Sequence, residues 1–257
     1  MVRTQRLPSH AGECPRHGLA RVLSKSGVCS RSQAQTLVRS GRVTVNGLIV
    51  TDPESPTRRE LDRLAIDGEA VASAAPLHVM LNKPRGLVSS VSDERGRDTV
   101  YKCLRDAGLP WLAPVGRLDK ASEGLLLFSN DPEWAARITD PDSGPRKTYH
   151  VQVDALPDAA LLARLAAGAQ CDGEWLKAHS VRVLRTGQRN AWLEIVLDEG
   201  RNRQIRRLLA ACDLAVLRLV RVAIGGLLLG DLGKSQWRHL RPDELAMLFS
   251  PATVCPD

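Results

Sequence analysis

The stretch that most constrains this chain runs from Pro114 to Asp131. Within it a four-residue apolar run, Leu125-Leu126-Leu127-Phe128, is bracketed by Gly124 and by the pair Asp131-Pro132. An uninterrupted run of this length, followed by a helix-start signal, predicts a short buried strand entering a helix. The preceding loop, from Gly116 to Glu123, is then anchored at its downstream end and presents Asp119 from a rigid edge. A bare Gly-Arg-Leu-Asp tetrapeptide is more often a turn cap than a site, so the full eighteen residues have to carry any functional reading.

A length of 257 residues allows one or two domains, and 43% hydrophobic with 25% charged residues is ordinary for a soluble globular protein. The formal charge of +7 favours an anionic partner, because clustered Lys and Arg gain affinity for phosphates by releasing counterions. Six cysteines are scattered with no Cys-x-x-Cys pair, which suggests neither a disulfide framework nor a zinc ribbon and fits a reducing compartment. His10, Cys14 and His17 could ligate a metal with Cys29, but no second close pair supports them, and no metal is expected. Met1 to Gly18 lacks an apolar core and reads as a basic tail rather than a secretory signal. The longest nearly uncharged run, Val222 to Gly230, is far below the ~20 residues of a membrane helix. The chain is expected to be cytoplasmic, without membrane contact.

Leu19, Val22 and Leu23 recur at helical spacing, and a second amphipathic stretch runs from Ser30, a plausible N-cap, to a stopping glycine at Gly41. Asn46-Gly47 between β-branched and apolar residues then signals a tight hairpin. From Arg16 to Thr51 the sequence holds six basic residues and no acid. Charge alone leaves two readings open, a phosphate-binding face or a solvated one.

Further on, Leu77 to Pro84 reads as a strand ending at proline, with Gly86 to Ser90 continuing after the turn. A helix is expected over Asp98 to Ala107, another from Asp131, and an alternating strand over Lys147 to Val153. Pro157 to Ala167 reads as a helix, Ala178 to Leu184 and Ala191 to Leu197 as strands, and Asp243 to Leu248 as a closing helix. At about 3.6 residues per turn, Ile205, Leu208, Leu209 and Cys212 share one face of a helix and Arg203 and Arg207 the opposite one. Arg206 falls on the flank, where it could pair with a carboxylate, while Arg203 and Arg207 are free to meet phosphates.

Gly116-Arg117-Leu118-Asp119, three residues, then Glu123-Gly124-Leu125-Leu126-Leu127-Phe128-Ser129-Asn130-Asp131 closely resembles the catalytic motif of the pseudouridine synthases, in the branch typified by the bacterial ribosomal small-subunit enzyme. Asn82-Lys83-Pro84-x-Gly86, Lys147-Thr148-Tyr149, Glu199 to Cys212 and Leu217 to Leu227 resemble further motifs of that family, in its order. The resemblance implies that Asp119 is the catalytic aspartate, that Tyr149 and Leu219 lie against the uracil, and that Arg117 fills the space a flipped uridine vacates. Arg206 becomes the guanidinium that keeps Asp119 ionised, and Arg203 and Arg207 become substrate-binding residues. A strand tyrosine by itself is most often a packing residue, but a flipped base needs a flat apolar surface to replace its lost stacking.

Ser26 to Arg31, then Ala34 and Leu37, then Ser40 to Gly47 looks like the small RNA-binding domain named after a small-subunit ribosomal protein, which would put Arg31, Arg39 and Arg42 at an RNA interface. The expected organisation is a tail over 1–17, an RNA-binding domain over 18–71, a linker over 72–76, a catalytic domain over 77–250 and a tail over 251–257. The fold class is α+β, a helix-helix-hairpin headpiece followed by a body with a mixed, mostly antiparallel sheet flanked by helices. The implied reaction is isomerisation of uridine to pseudouridine by a monomer that needs no cofactor. Ribosomal RNA or a ribosomal precursor particle is the expected partner, and transfer RNA stays open. A non-catalytic ribosome-assembly factor would keep the basic headpiece but could lose Asp119, Tyr149 or Arg206, and all three are present. A methyltransferase would need a cofactor loop that the sequence lacks.

Overall fold

The computed structural model describes residues 16–72, 75–91, 93 and 95–250. The chain forms two compact units that part at Ala75. The terminal tails lie largely outside the described residues, as do His10 and Cys14.

The first unit consists of β1 (His17–Gly18), α1 (Leu19–Lys25), α2 (Arg31–Arg39), β2 (Val43–Val45), β3 (Leu48–Ile49), β4 (Pro56–Thr57), β5 (Leu64–Ile66) and β6 (Glu69–Ala70). Ser30 caps α2 as expected: its hydroxyl accepts the Gln33 amide at 3.1 Å, and the Gln33 side chain accepts the Ser30 amide at 2.9 Å. Asn46 and Gly47 turn β2 into β3 with φ of 53° and 86°, the left-handed pair that a two-residue hairpin requires. Leu19, Val22 and Leu23 of α1 and Ala34 and Val38 of α2 pack on Val43 and Leu64 of the antiparallel sheet β3-β2-β5-β6.

The second unit begins with β7 (His78–Lys83), a 3-10 turn (Val100–Leu104), β8 (Ala113–Val115), β9 (Glu123–Ser129), α3 (Pro132–Thr139) and β10 (Lys147–Val153). It continues with α4 (Ala159–Ala167), β11 (Ala169–Cys171), β12 (Glu174–Leu176), β13 (Ser180–Thr186), β14 (Ala191–Leu197) and α5 (Gln204–Ala210). β15 (Val216–Ile224), β16 (Leu227–Leu228), β17 (Trp237–His239) and α6 (Pro242–Met247) complete it. The main sheet runs β13-β14-β10-β15-β9-β7-β17, with β8 on β9 and β16 on β15. Among the described residues only β9 and β15 pair in parallel as strands, so the sheet is mixed and mostly antiparallel, as the sequence implies.

β9 explains its own composition. Leu126 and Phe128 enter a core with Val151, Leu193 and Leu208, while Leu125 and Leu127 enter a second with Met80, Trp134 and Ile138. A strand covered on both faces needs a continuous apolar run rather than an alternating one. Its exit is fixed by Asp131, whose Oδ1 accepts the amides of Glu133 and Trp134 at 2.9 and 3.1 Å, with Pro132 opening α3. Gly124 sits at φ +100° where β9 meets β15, and a Cβ there would stand 2.2 Å from the Arg221 carbonyl oxygen.

Two local expectations are corrected. The helix expected over Asp98 to Ala107 is only the 3-10 turn, and Gly86 to Ser90 does not continue as a strand but makes one bridge, Val88 to Thr99. Among the described residues no helix is long and apolar enough to cross a membrane.

Candidate active site

Asp119 lies in the loop between β8 and β9, and hydrogen bonds hold that loop on both sides of it. The Leu118 amide donates to the Ser89 hydroxyl at 3.1 Å, and that hydroxyl lies 3.0 Å from the Leu118 carbonyl. The Gly86 amide donates to the Lys120 carbonyl at 2.7 Å. Arg206 Nη2 reaches the Ala121 carbonyl at 3.3 Å, and Lys83 Nζ reaches the Ser122 carbonyl at 2.8 Å. Glu123, the first residue of β9, is buried and receives Arg218 at 2.9 Å and Lys234 at 3.1 Å. The rigid presentation expected of Asp119 thus comes from cross-chain bonds as well as from the strand.

Asp119, Tyr149, Leu219 and Arg206 line one cleft of about 560 Å³. Tyr149 stands on β10 between Ile195 of β14 and Arg221 of β15, 8% exposed, and Leu219 of β15 is 5% exposed. Both belong to the buried apolar cluster and line the cleft. Arg206 comes from α5, whose start is fixed by buried Gln204 donating to the Lys177 carbonyl at 3.0 Å and accepting the Arg201 amide at 3.1 Å. Burial first, and then Arg203, push the Arg206 guanidinium below its ordinary value, while Asp119 pulls it back up. Arg206 is therefore a charge neighbour of Asp119 without a direct ion pair, and its buried Nε has no partner among the described residues.

The cleft wall carries six cationic side chains, Arg117, Lys147, Arg201, Arg203, Arg206 and Arg221, against the three acids Asp119, Asp142 and Glu199. That balance suits an anionic ligand. Among the described residues no group of three His, Cys, Asp or Glu could hold a metal ion.

Comparison with known proteins identifies the family. Residues 77–211 match the family described as RNA pseudouridylate synthase, and residues 18–62 match the S4 domain. An RNA pseudouridine synthase of Aquifex aeolicus, itself described as uncharacterized, is 36% identical over 231 residues, covering 89% of this chain and 92% of that protein. The chain belongs to the RNA pseudouridine synthase family. A similarly described synthase of Mycobacterium tuberculosis is 36% identical over 236 residues, covering 90% of this chain and 92% of its own length. A crystal structure of a pseudouridylate synthase superposes with a TM-score of 0.63 at 29% identity, covering 91% of this chain and 99% of the other. The branch named for the small ribosomal subunit is not distinguished by these likenesses.

Within the synthase, Arg117 and Arg203 lie exposed on the cleft rim. Arg207 does not. It is held by Asp172 at 3.0 Å and Glu174 at 2.9 Å, and its Nη2 donates to the Cys171 carbonyl at 2.7 Å. Those two acids sit on the β11-β12 hairpin, so the arginine fastens that hairpin to α5 instead of standing free for phosphate. In the S4 unit Arg39 is exposed on α2, and Arg31 makes a loose, exposed contact with Glu54 at 3.5 Å. Arg42 is tied to Asp67, its Nε 2.9 Å from Oδ1, so the acid-free window is neutralised in part by a residue beyond it.

The sequence reading passed over Lys83, Lys147 and Arg221 as individual residues, although all three are buried at or beneath the cleft. Period-two spacing is the signal that points to two of them. Lys147 precedes Tyr149 by two on β10, and Arg221 follows Leu219 by two on β15, so each shares its neighbour's face.

Proposed function

We propose that the chain isomerises uridine in ribosomal RNA to pseudouridine, with Asp119 as the catalytic carboxylate. The observation that carries this reading is that Asp119, on a loop pinned by hydrogen bonds, lines one cleft with Tyr149 and Leu219 and has the Arg206 guanidinium as a charge neighbour. The reaction breaks the bond from ribose C1′ to uracil N1, rotates the base and joins C1′ to C5. N1 gains a proton and C5 loses one. Asp119 acts in this sequence as nucleophile or as general base, and both roles need it ionised. Arg206 supplies a positive charge beside it.

Tyr149 and Leu219 hold the uracil after it leaves its stack, offsetting an unstacking cost of a few kcal/mol. Arg117 takes the vacated position in the RNA, and Arg203 meets the backbone. The S4 unit adds affinity through Arg31 and Arg39, with Arg42 contributing less while it is bound to Asp67. A headpiece that reads structured RNA supports ribosomal RNA, or a precursor particle, as substrate, met by a monomer in the cytoplasm.

The test is pseudouridine mapping by sequencing of ribosomal and transfer RNA from cells lacking the gene, complemented with the wild type or with Asp119→Ala. One or a few ribosomal uridines should be modified only with the wild type. Loss confined to transfer RNA would overturn the choice of substrate, and full complementation by Asp119→Ala would overturn the role of the aspartate.

A further inference from the structure

Lys147 is 8% exposed at the start of β10 and lines the same cleft as Asp119 and Tyr149, yet its ammonium has no hydrogen-bond or ion-pair partner among the described residues. Beside it lies Arg221, 5% exposed, whose Nε donates to the Leu125 carbonyl at 2.7 Å and whose Nη2 is buried without an acceptor among the described residues. Burial first, and then Arg221, push the Lys147 ammonium below its ordinary value. Asp140 and Asp198 pull it the other way, but both are engaged elsewhere. Asp140 accepts the amides of Asp142 and Ser143 at 2.8 Å each, and Asp198 holds Arg146 at 2.8 Å and lies 3.2 Å from His179.

Two buried cations side by side without an anion are costly to the free protein, and a fold retains them when a ligand brings the counter-charge. We propose that Lys147 and Arg221 form an anion site in the wall of the cleft, which takes a backbone phosphate of the RNA next to the uridine lying on Tyr149. The proposal rests on reading this cleft as the uridine site. Lys147 and Tyr149 are two residues apart on one face of a strand, about 7 Å, which is the scale of a single nucleotide. A phosphodiester carries a full negative charge. A uracil carbonyl carries only a partial one and could not offset two buried cations.

The site is tested on the full chain with uridine, uridine 3′-monophosphate and uridine 5′-monophosphate, titrated separately and followed by ligand-observed NMR. Wild type should bind one of the monophosphates roughly 10-fold or more tighter than uridine, the yield of a charge-assisted contact. Lys147→Met should abolish that preference, while Lys147→Arg and Asp119→Ala should keep it. The Lys147→Met protein should unfold at the same temperature as wild type or higher, since it sheds a buried charge.

No preference in wild type, or a preference that survives Lys147→Met, overturns the proposal. Equal weakening of all three ligands by Lys147→Met means that the ammonium meets the base, and a large drop in unfolding temperature means that Lys147 is structural. Each of these also overturns it. Tritium release from RNA labelled at uracil C5 separates the two readings. A protein that isomerises nothing but keeps the phosphate preference loses the proposed reaction alone, and one that isomerises uridine without the preference loses the anion site alone.

Discussion

Lys83 is fully buried beneath the Asp119 loop, and its ammonium is lowered from 10.5 to about 8, chiefly by burial and against the pull of Glu123 and Asp119. The unfolded chain keeps its proton up to the ordinary value. Below pH 8 both states are protonated, and the whole burial penalty is present. Between about pH 8 and 10.5 the unfolded state binds more protons than the folded one, so this group makes stability rise with pH across that window. The gain is at most about 3 kcal/mol, from roughly 1.4 kcal/mol for each unit of displacement.

Lys83→Met removes the titration. It also leaves the carbonyls of Ser122 and Pro84, now 2.8 and 3.2 Å from Nζ, without this donor. Each lost bond costs about 1–3 kcal/mol, so the pair is comparable with the relieved burial penalty, and the two proteins should differ by no more than about 3 kcal/mol at pH 7. At pH 10 wild type should have gained about 2–3 kcal/mol on the variant. Urea unfolding of both proteins at unit steps from pH 7 to 10 measures the difference directly. Parallel pH profiles for the two proteins would refute the reasoning, because the ammonium would then titrate alike folded and unfolded.

Three further substitutions test other parts of the same geometry. Gly124→Ala puts a Cβ into the Arg221 backbone at a left-handed φ, so the β9-β15 pairing must shift. The variant should lose at least about 3 kcal/mol in urea unfolding, and an unchanged midpoint would contradict the parallel register. Arg203→Ala should reduce the slope of log affinity against log salt for RNA by about 0.7–0.9, whereas Arg207→Ala, already paired with Asp172 and Glu174, should leave that slope unchanged while lowering stability.

Much of the fold was legible because local signals agreed with tertiary demand. The run over Leu125 to Phe128, the Asp131-Pro132 helix start, the Ser30 N-cap and the Asn46-Gly47 turn each act within a few residues of chain, and each forms as expected. Asp119, Tyr149, Arg206 and Leu219 were found from motif order and meet in one cleft. What escaped depends on distant partners. Helical periodicity placed Arg207 on an open face, but it could not know that the β11-β12 hairpin brings two carboxylates against that face from more than thirty positions upstream. Lys83 and Lys147 break the rule that lysines are exposed, and that departure shows only once strands on both sides have closed over them.

The central claim is that the Asp119 carboxylate performs the isomerisation. Single-turnover tritium release from ribosomal RNA labelled at uracil C5, comparing wild type with Asp119→Asn at saturating protein, tests it most directly. The account predicts tritium release by wild type and none by the variant, which should still bind the RNA with unchanged affinity. Release by Asp119→Asn at the wild-type rate would contradict it and move the chemistry to another residue.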